Sequence, residues 1–168
     1  MIGLVFIILA MAGVSFALWV SQTAKALEFS RCQVNEAWEG LRKALMARRE
    51  MVPYIVAAVH ADTSQLLDVI GNACDLADHV ATVQECSKAE ARLTSVLNRL
   101  FAAMDAGRDP GGLATLDNLR GKLDEQYARI MIHKEIYNRQ AETLNTLLER
   151  GAARLFVTMG IYRKVDVY

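Results

Sequence analysis

Three features of this sequence predict an all-α fold, with an N-terminal transmembrane helix running on into an elongated antiparallel, up-and-down bundle of about four long helices. The first is an apolar opening, because residues 1–24 contain no Asp, Glu, Lys, Arg or His. The second is a helical period in the apolar residues that follow. The third is sparse punctuation: two prolines and few glycine clusters give an all-β chain too few turns. With 168 residues there is room for one ordinary domain. The expected organisation is an anchor over residues 1–22, a helical bundle over 23–160 and an irregular tail over 161–168.

The run from Ile2 to Val20 has about the length of a helix crossing a hydrocarbon layer of roughly 30 Å. Near the centre of a span, Leu, Ile, Phe and Val each favour insertion by about 0.3–0.6 kcal/mol, and no charge opposes them here. Trp19 stands where an interfacial aromatic belongs. Gly3, Gly13 and Ser15 are tolerated in a span and let two copies approach closely, so self-association is expected. A cleaved signal peptide is the competing reading, with Ala24-Lys25-Ala26 as its site. Against it, the charged leader is missing and the apolar run exceeds the usual length of about 7–15 residues. Basic residues follow the span (Lys25, Arg31, Arg42, Lys43) and none precedes it, which predicts a short N-terminus outside and the large domain in the cytoplasm.

After the span, Leu27, Val34, Trp38, Leu41 and Leu45 recur on one helical face, and nothing from Ser21 to Arg49 interrupts it except Gly40. The anchor is therefore read as the membrane half of the bundle's first helix. Pro53 disfavours helix at the residue before it, so this helix should end near Glu50 and the next begin near Val52. That second helix carries Ile55, Val56, Val59, Leu66, Val69, Ile70, Ala73, Ala77 and Val80. A third presents Leu93, Val96, Leu97, Leu100, Phe101 and Met104. Residues 107–112, Gly-Arg-Asp-Pro-Gly-Gly, read as a loop. A fourth helix follows from about Leu113 to Glu149, with the stripe Leu116, Leu119, Leu123, Tyr127, Ile130, Lys134, Tyr137, Ala141, Leu144 and Leu148.

Composition narrows the function. Nineteen basic and nineteen acidic residues give no excess of either sign, so a nucleic-acid partner is not expected. Cys32, Cys74 and Cys86 form no CxxC pair and read as buried free thiols of a reducing compartment. His60, Asp62, Asp75, Asp78 and His79 are the nearest approach to a metal set. They lack the Glu-x-x-His pairs that bundle sites draw from facing helices, so neither metal nor cofactor is expected. There is no phosphate-binding glycine loop, no serine elbow and no base placed for a cysteine nucleophile. The chain does not read as an enzyme.

Asn35-Glu36-Ala37-Trp38, then Arg48-Arg49 and Pro53, resembles the "EAW … RR … IP" signature of the LemA family. Tyr137-Asn138 and Asn145, one heptad apart, resemble the "YN … YN" pattern of that family's long final helix, and Gly160 with Tyr168 resembles its aromatic ending. Leu144, Tyr54 and the Gly151-Ala152 pair depart from the pattern. The resemblance implies a single-pass protein of the bacterial inner or plasma membrane with a helical bundle and no established catalysis. Some relatives are linked with membrane proteostasis proteases.

The interaction candidates are Trp38, Arg48, Arg49, Pro53, Tyr137, Asn138 and Asn145. Most have a plainer structural reading beside the functional one. Trp38 reads as core, Asn138 and Asn145 as polar residues fixing helix register, and Lys134 as an amphipathic chain crossing the stripe. Arg48 and Arg49 complement the helix C-terminus or touch anionic lipid or a partner. The expected function is a membrane-anchored scaffold or adaptor, with membrane or cytoplasmic proteins, among them a membrane protease, as partners. Regulation of such a protease, membrane remodelling and a metal-binding bundle are the alternatives.

Overall fold

The computed structural model describes residues 2–58, 82–106, 113–151 and 153–168. Within them the chain is helical, with no strand: α1 (Ile2–Glu50), α2 (Val52–Ala58), α3 (Val83–Ala106), α4 (Leu113–Glu149) and α5 (Ala153–Thr158). An all-α bundle fold is what the periodicity predicts. The expected loop at 107–112 and the continuation of the second helix beyond Ala58 lie outside the described residues, as do Cys74 and the His60 to His79 group.

α1 runs from the apolar segment into the bundle without a break. It contains an 18-residue window of mean hydropathy 1.7 with none of that window buried, long and apolar enough to cross a membrane. The helix stops where Pro53 requires. Arg48 and Arg49 occupy the last turn, and the Met51 amide still donates to the Arg48 carbonyl at 3.2 Å. Amides of Tyr54 and Ile55 then donate to the Met51 carbonyl, opening α2. Pro53 sits in that first turn, where no amide hydrogen is needed.

By internal packing the chain forms two units. One comprises Met1–Trp38 with Tyr137–Val165. Here α1 and α4 run antiparallel: Trp38 meets Tyr137, and further down Trp19 meets Gly151. Leu27, Val34, Tyr137, Ala141, Leu144, Leu148 and Ala153 are its buried residues. Gly151 closes α4 with φ +49, a left-handed conformation that glycine adopts without strain. The chain then makes α5, which the sequence reading did not foresee, before the irregular stretch from Tyr162 onward.

The other unit comprises Glu39–Ile136 with Asp166–Tyr168. Its core joins Val52, Ile55, Leu93, Leu97, Leu100, Phe101 and Leu123, flanked by Met51, Val96 and Leu119. Each such aliphatic side chain contributes about 1.5–3 kcal/mol by leaving water. Gly40 is explained here. A Cβ at that position would stand 3.1 Å from His133 Nδ1, so the residue lets α4 approach at the cost of about 1 kcal/mol of helix propensity. Two expectations are corrected. Tyr127, on the predicted apolar stripe, is 51% exposed, because a period specifies a helix face and not whether a neighbour covers it. Cys32 is exposed and not buried, whereas Cys86 is a buried free thiol as expected.

Candidate functional site

The most heavily built polar site in the described residues begins at the start of α3. Thr82-Val83-Gln84-Glu85 forms a capping box: the Thr82 hydroxyl and amide donate to Glu85 Oε2 at 2.8 and 3.2 Å, and the Glu85 amide donates to Thr82 Oγ1. This fixes the phase of α3, so that Cys86, Ala89, Glu90, Leu93 and Leu97 are buried together. Glu90 is a carboxylate on an otherwise apolar stripe, and it is 5% exposed.

Its partners come from the last turn of α1. Arg48 donates through one terminal nitrogen to Glu90 Oε2 and through the other to Thr94 Oγ1 at 3.0 Å. Arg49 donates Nε to Glu90 Oε1 at 2.7 Å, with a terminal nitrogen 2.6 Å from the same oxygen. Arg48 itself is 5% exposed, and its Nε is buried without a hydrogen-bond partner among the described residues. Two guanidinium groups therefore share one carboxylate in a buried setting. Such burial costs each ion several kcal/mol before pairing recovers it.

Tyr168 and Cys86 border the cluster. Burial pushes the Cys86 thiol above its ordinary value, with the Glu90 charge adding to it and Arg49 opposing. Burial likewise raises the Tyr168 phenol, with Cys86 and Glu90 reinforcing the shift and both arginines opposing. Neither group is a ready nucleophile at neutral pH. Lys134, expected to pass along its stripe toward solvent, instead holds Nζ 5.3 Å from the centre of the Tyr168 ring, a cation–π contact.

Beside Arg48 opens a cleft of about 530 Å³. Leu97, Phe101 and Leu123 give it an apolar lining; Asn98, Arg120, Asp124 and Tyr127 give it polar groups. The Arg120 guanidinium lies 5.1 Å from the centre of the Phe101 ring. The recess suits a side chain or small molecule with an apolar body and a hydrogen-bonding end. Among the described residues no group of three or more His, Cys, Asp or Glu is placed to hold a metal.

The residues singled out from sequence fall in both units. Arg48 and Arg49 are committed to Glu90, so neither is a free lipid or partner contact. Pro53 is exposed in the first turn of α2. Trp38, half-buried, packs its ring 5.5 Å from that of fully buried Tyr137, with 55° between the planes. Asn138 is half-buried on the next position of α4. Asn145 holds the tail and not a neighbouring helix: its Nδ2 donates to the Val165 carbonyl at 2.8 Å, and the Val165 amide donates to its Oδ1 at 2.9 Å. Glu90, Thr94 and the cleft were missed. The signal available was Glu90 standing four residues after Cys86 and three before Leu93, a charge in the middle of an apolar stripe.

Comparison with protein families matches residues 37–168 to the LemA family. No curated protein matches the chain.

Proposed function

The chain belongs to the LemA family, and from that membership we propose that it is a membrane-anchored helical adaptor, which gathers other proteins or copies of itself and catalyses no reaction. The observation that carries this reading is α1. Leu4, Phe6, Ile7, Ile8, Leu9, Met11, Val14, Phe16 and Leu18 are all more than half exposed, yet on the same helix Leu27 and Val34 are buried at 1% and 4%. Left in water, each of those exposed side chains forgoes about 1.5–3 kcal/mol. A bilayer is the environment that satisfies the whole segment, whose backbone hydrogen bonds are already closed by the helix. In this reading residues 2–21 span a bacterial inner or plasma membrane. The short N-terminus is outside, and the bundle is in the cytoplasm.

The adaptor role rests on the cleft beside Arg48, where an apolar lining meets hydrogen-bonding groups. A partner's aromatic or aliphatic side chain with a polar end fits it, and membrane or cytoplasmic proteins, a membrane protease among them, are the class of partner. Self-association uses the glycine and serine positions of the span.

Two measurements test the proposal on the full chain in native membranes. Protease digestion of sealed vesicles should leave a C-terminal tag protected on the cytoplasmic side; digestion from the outside overturns the orientation. Mild-detergent extraction should then recover an oligomer or a complex, and Arg120→Glu in the cleft should lower partner recovery. A strict monomer with no co-purifying membrane protein would overturn the adaptor reading.

A further inference from the structure

α5 and the turn after it present an apolar surface that nothing within their unit covers. Leu155, Met159 and Ile161 are 47%, 70% and 57% exposed, while Ala153 at the start of the same helix is buried. The surface is held in a fixed shape. The Ile161 and Tyr162 amides both donate to the Phe156 carbonyl, Gly160 takes φ +73, and the Phe156 ring meets that of Tyr162 edge-on at 6.2 Å.

Two independent observations say what covers it. The first is position. A Cβ on Gly151 would stand 3.3 Å from the Trp19 ring, so the end of α4 lies against the last aromatic of the apolar segment. Trp19 also lines a recess of about 360 Å³ together with Gln22, Leu147, Arg150 and Ala153. An indole at the end of a span belongs at headgroup level. α5 begins two residues after Gly151 and therefore starts at that level too. The second observation is charge. Residues 150–164 carry Arg150, Arg154, Arg163 and Lys164 and no acidic residue. The three arginines are exposed. Exposed apolar residues interleaved with basic ones are the composition of a segment lying in an anionic membrane interface.

We propose that Leu155 and Met159 rest in the headgroup–acyl boundary of the bilayer that holds α1, with Arg150 and Arg154 among anionic lipid headgroups. This inference rests on reading α1 as a membrane span. The bundle thus touches its membrane at a second place besides the anchor, and the contact selects anionic lipid.

The test uses the full chain in vesicles of phosphatidylcholine and phosphatidylglycerol in equal parts. A diazirine-bearing amino acid is placed, one at a time, at Leu9, Leu155, Met159 and Glu142. Glu142 is exposed on α4 and about 12 Å along the helix from Arg150. Lipid adducts are expected at positions 9, 155 and 159 and not at 142. Adducts at 155 and 159 should diminish in phosphatidylcholine alone, or after Arg150 and Arg154 are changed together to Gln, while those at 9 persist. Lipid adducts at 9 with none at 155 and 159 overturn the interfacial contact and leave the span intact. Protein–protein adducts at 155 and 159 assign the surface to a second copy instead. No lipid adduct at 9 overturns the span and this inference with it.

Discussion

In the first unit the irregular tail is held by a neutral group, the Asn145 amide paired with both backbone groups of Val165, and by an exposed ion pair between Lys164 Nζ and Glu149 Oε1 at 2.6 Å. In the second, the end of α1 is held to α3 by three charges buried together, Arg48, Arg49 and Glu90. The neutral clasp satisfies each atom it engages, and losing it returns two backbone groups to water. The charged cluster is stable only while complete. Removing Glu90 takes from both arginines the buried carboxylate they share. Polar contacts of similar length thus differ several-fold in what their loss should do, and burial sets the difference.

The largest effect is accordingly expected at Glu90. Glu90→Ala leaves Arg48 and Arg49 facing each other without their shared acceptor, and it should destabilise the second unit by about 3–5 kcal/mol. Thermal unfolding of the full chain in detergent, followed by circular dichroism, measures this. Replacing Arg48, Arg49 and Glu90 together by apolar residues of similar volume should recover most of the loss. A triple variant as unstable as Glu90→Ala would mean that the cost comes from packing and not from unpaired charge. Next in size is Asn145→Ala, expected to weaken tail docking by about 1–3 kcal/mol through the two lost hydrogen bonds. Hydrogen exchange at the Val165 amide should accelerate while amides in the middle of α3 keep their protection. Unchanged exchange at Val165 would mean that Asn145 does not hold the tail.

Much of this architecture was legible in the sequence, for identifiable reasons. Periodicity and Pro53 place the end of α1 at Glu50 and the start of α2 at Val52, because a proline constrains its own backbone and its neighbour's without help from distant residues. The bounds of α4, Leu113–Glu149, follow in the same way from an uninterrupted stripe. The cluster was legible only by half. Arg48-Arg49 stood out as a pair, but Glu90 joins them across 42 residues of chain, and no local rule supplies that register. Tail docking was not legible at all. Residues 161–168 have no apolar period, and their placement depends on single side chains such as Asn145 and Lys134 reached through the fold. Tyr127 shows the converse limit, since its phase on the stripe is right but the surface opposite is an open cleft.

A smaller effect should come from alkali, and it falls on the second unit. Cys86 and Tyr168 are both held protonated by burial, above ordinary values of 9.0 and 10.0. The unfolded chain releases these protons first as pH rises. Stability contributed by the protonated forms is therefore complete below about pH 9 and is lost as pH climbs toward the folded values. Melting temperature should decline above that point, and Cys86→Ala with Tyr168→Phe should flatten the decline. Thiol labelling sharpens the same contrast at neutral pH: Cys32, exposed in the first unit, should alkylate in the folded chain, while Cys86 should wait for denaturant. Equal rates at the two thiols would contradict the burial of Cys86 and with it the decline in alkali.

The smallest effect belongs to Lys164 and Glu149. Hydrogen bonding and charge from Lys164 lower the Glu149 carboxyl below its ordinary 4.5, so whatever the pair contributes is present above that value and fades as pH falls through the lowered one. Both side chains are about 60% exposed, so water and salt screen them. Lys164→Gln should leave the melting temperature nearly unchanged at neutral pH, and the small difference should vanish at high salt. The informative readout is again the Val165 amide. If the tail is held by the Asn145 clasp, the Val165 amide keeps its protection, measured against the intrinsic exchange rate at each pH, in Lys164→Gln and at acidic pH, where the ion pair is gone but the amide pair is not. Loss of that protection would mean that the exposed charges, and not the neutral clasp, keep the tail in place.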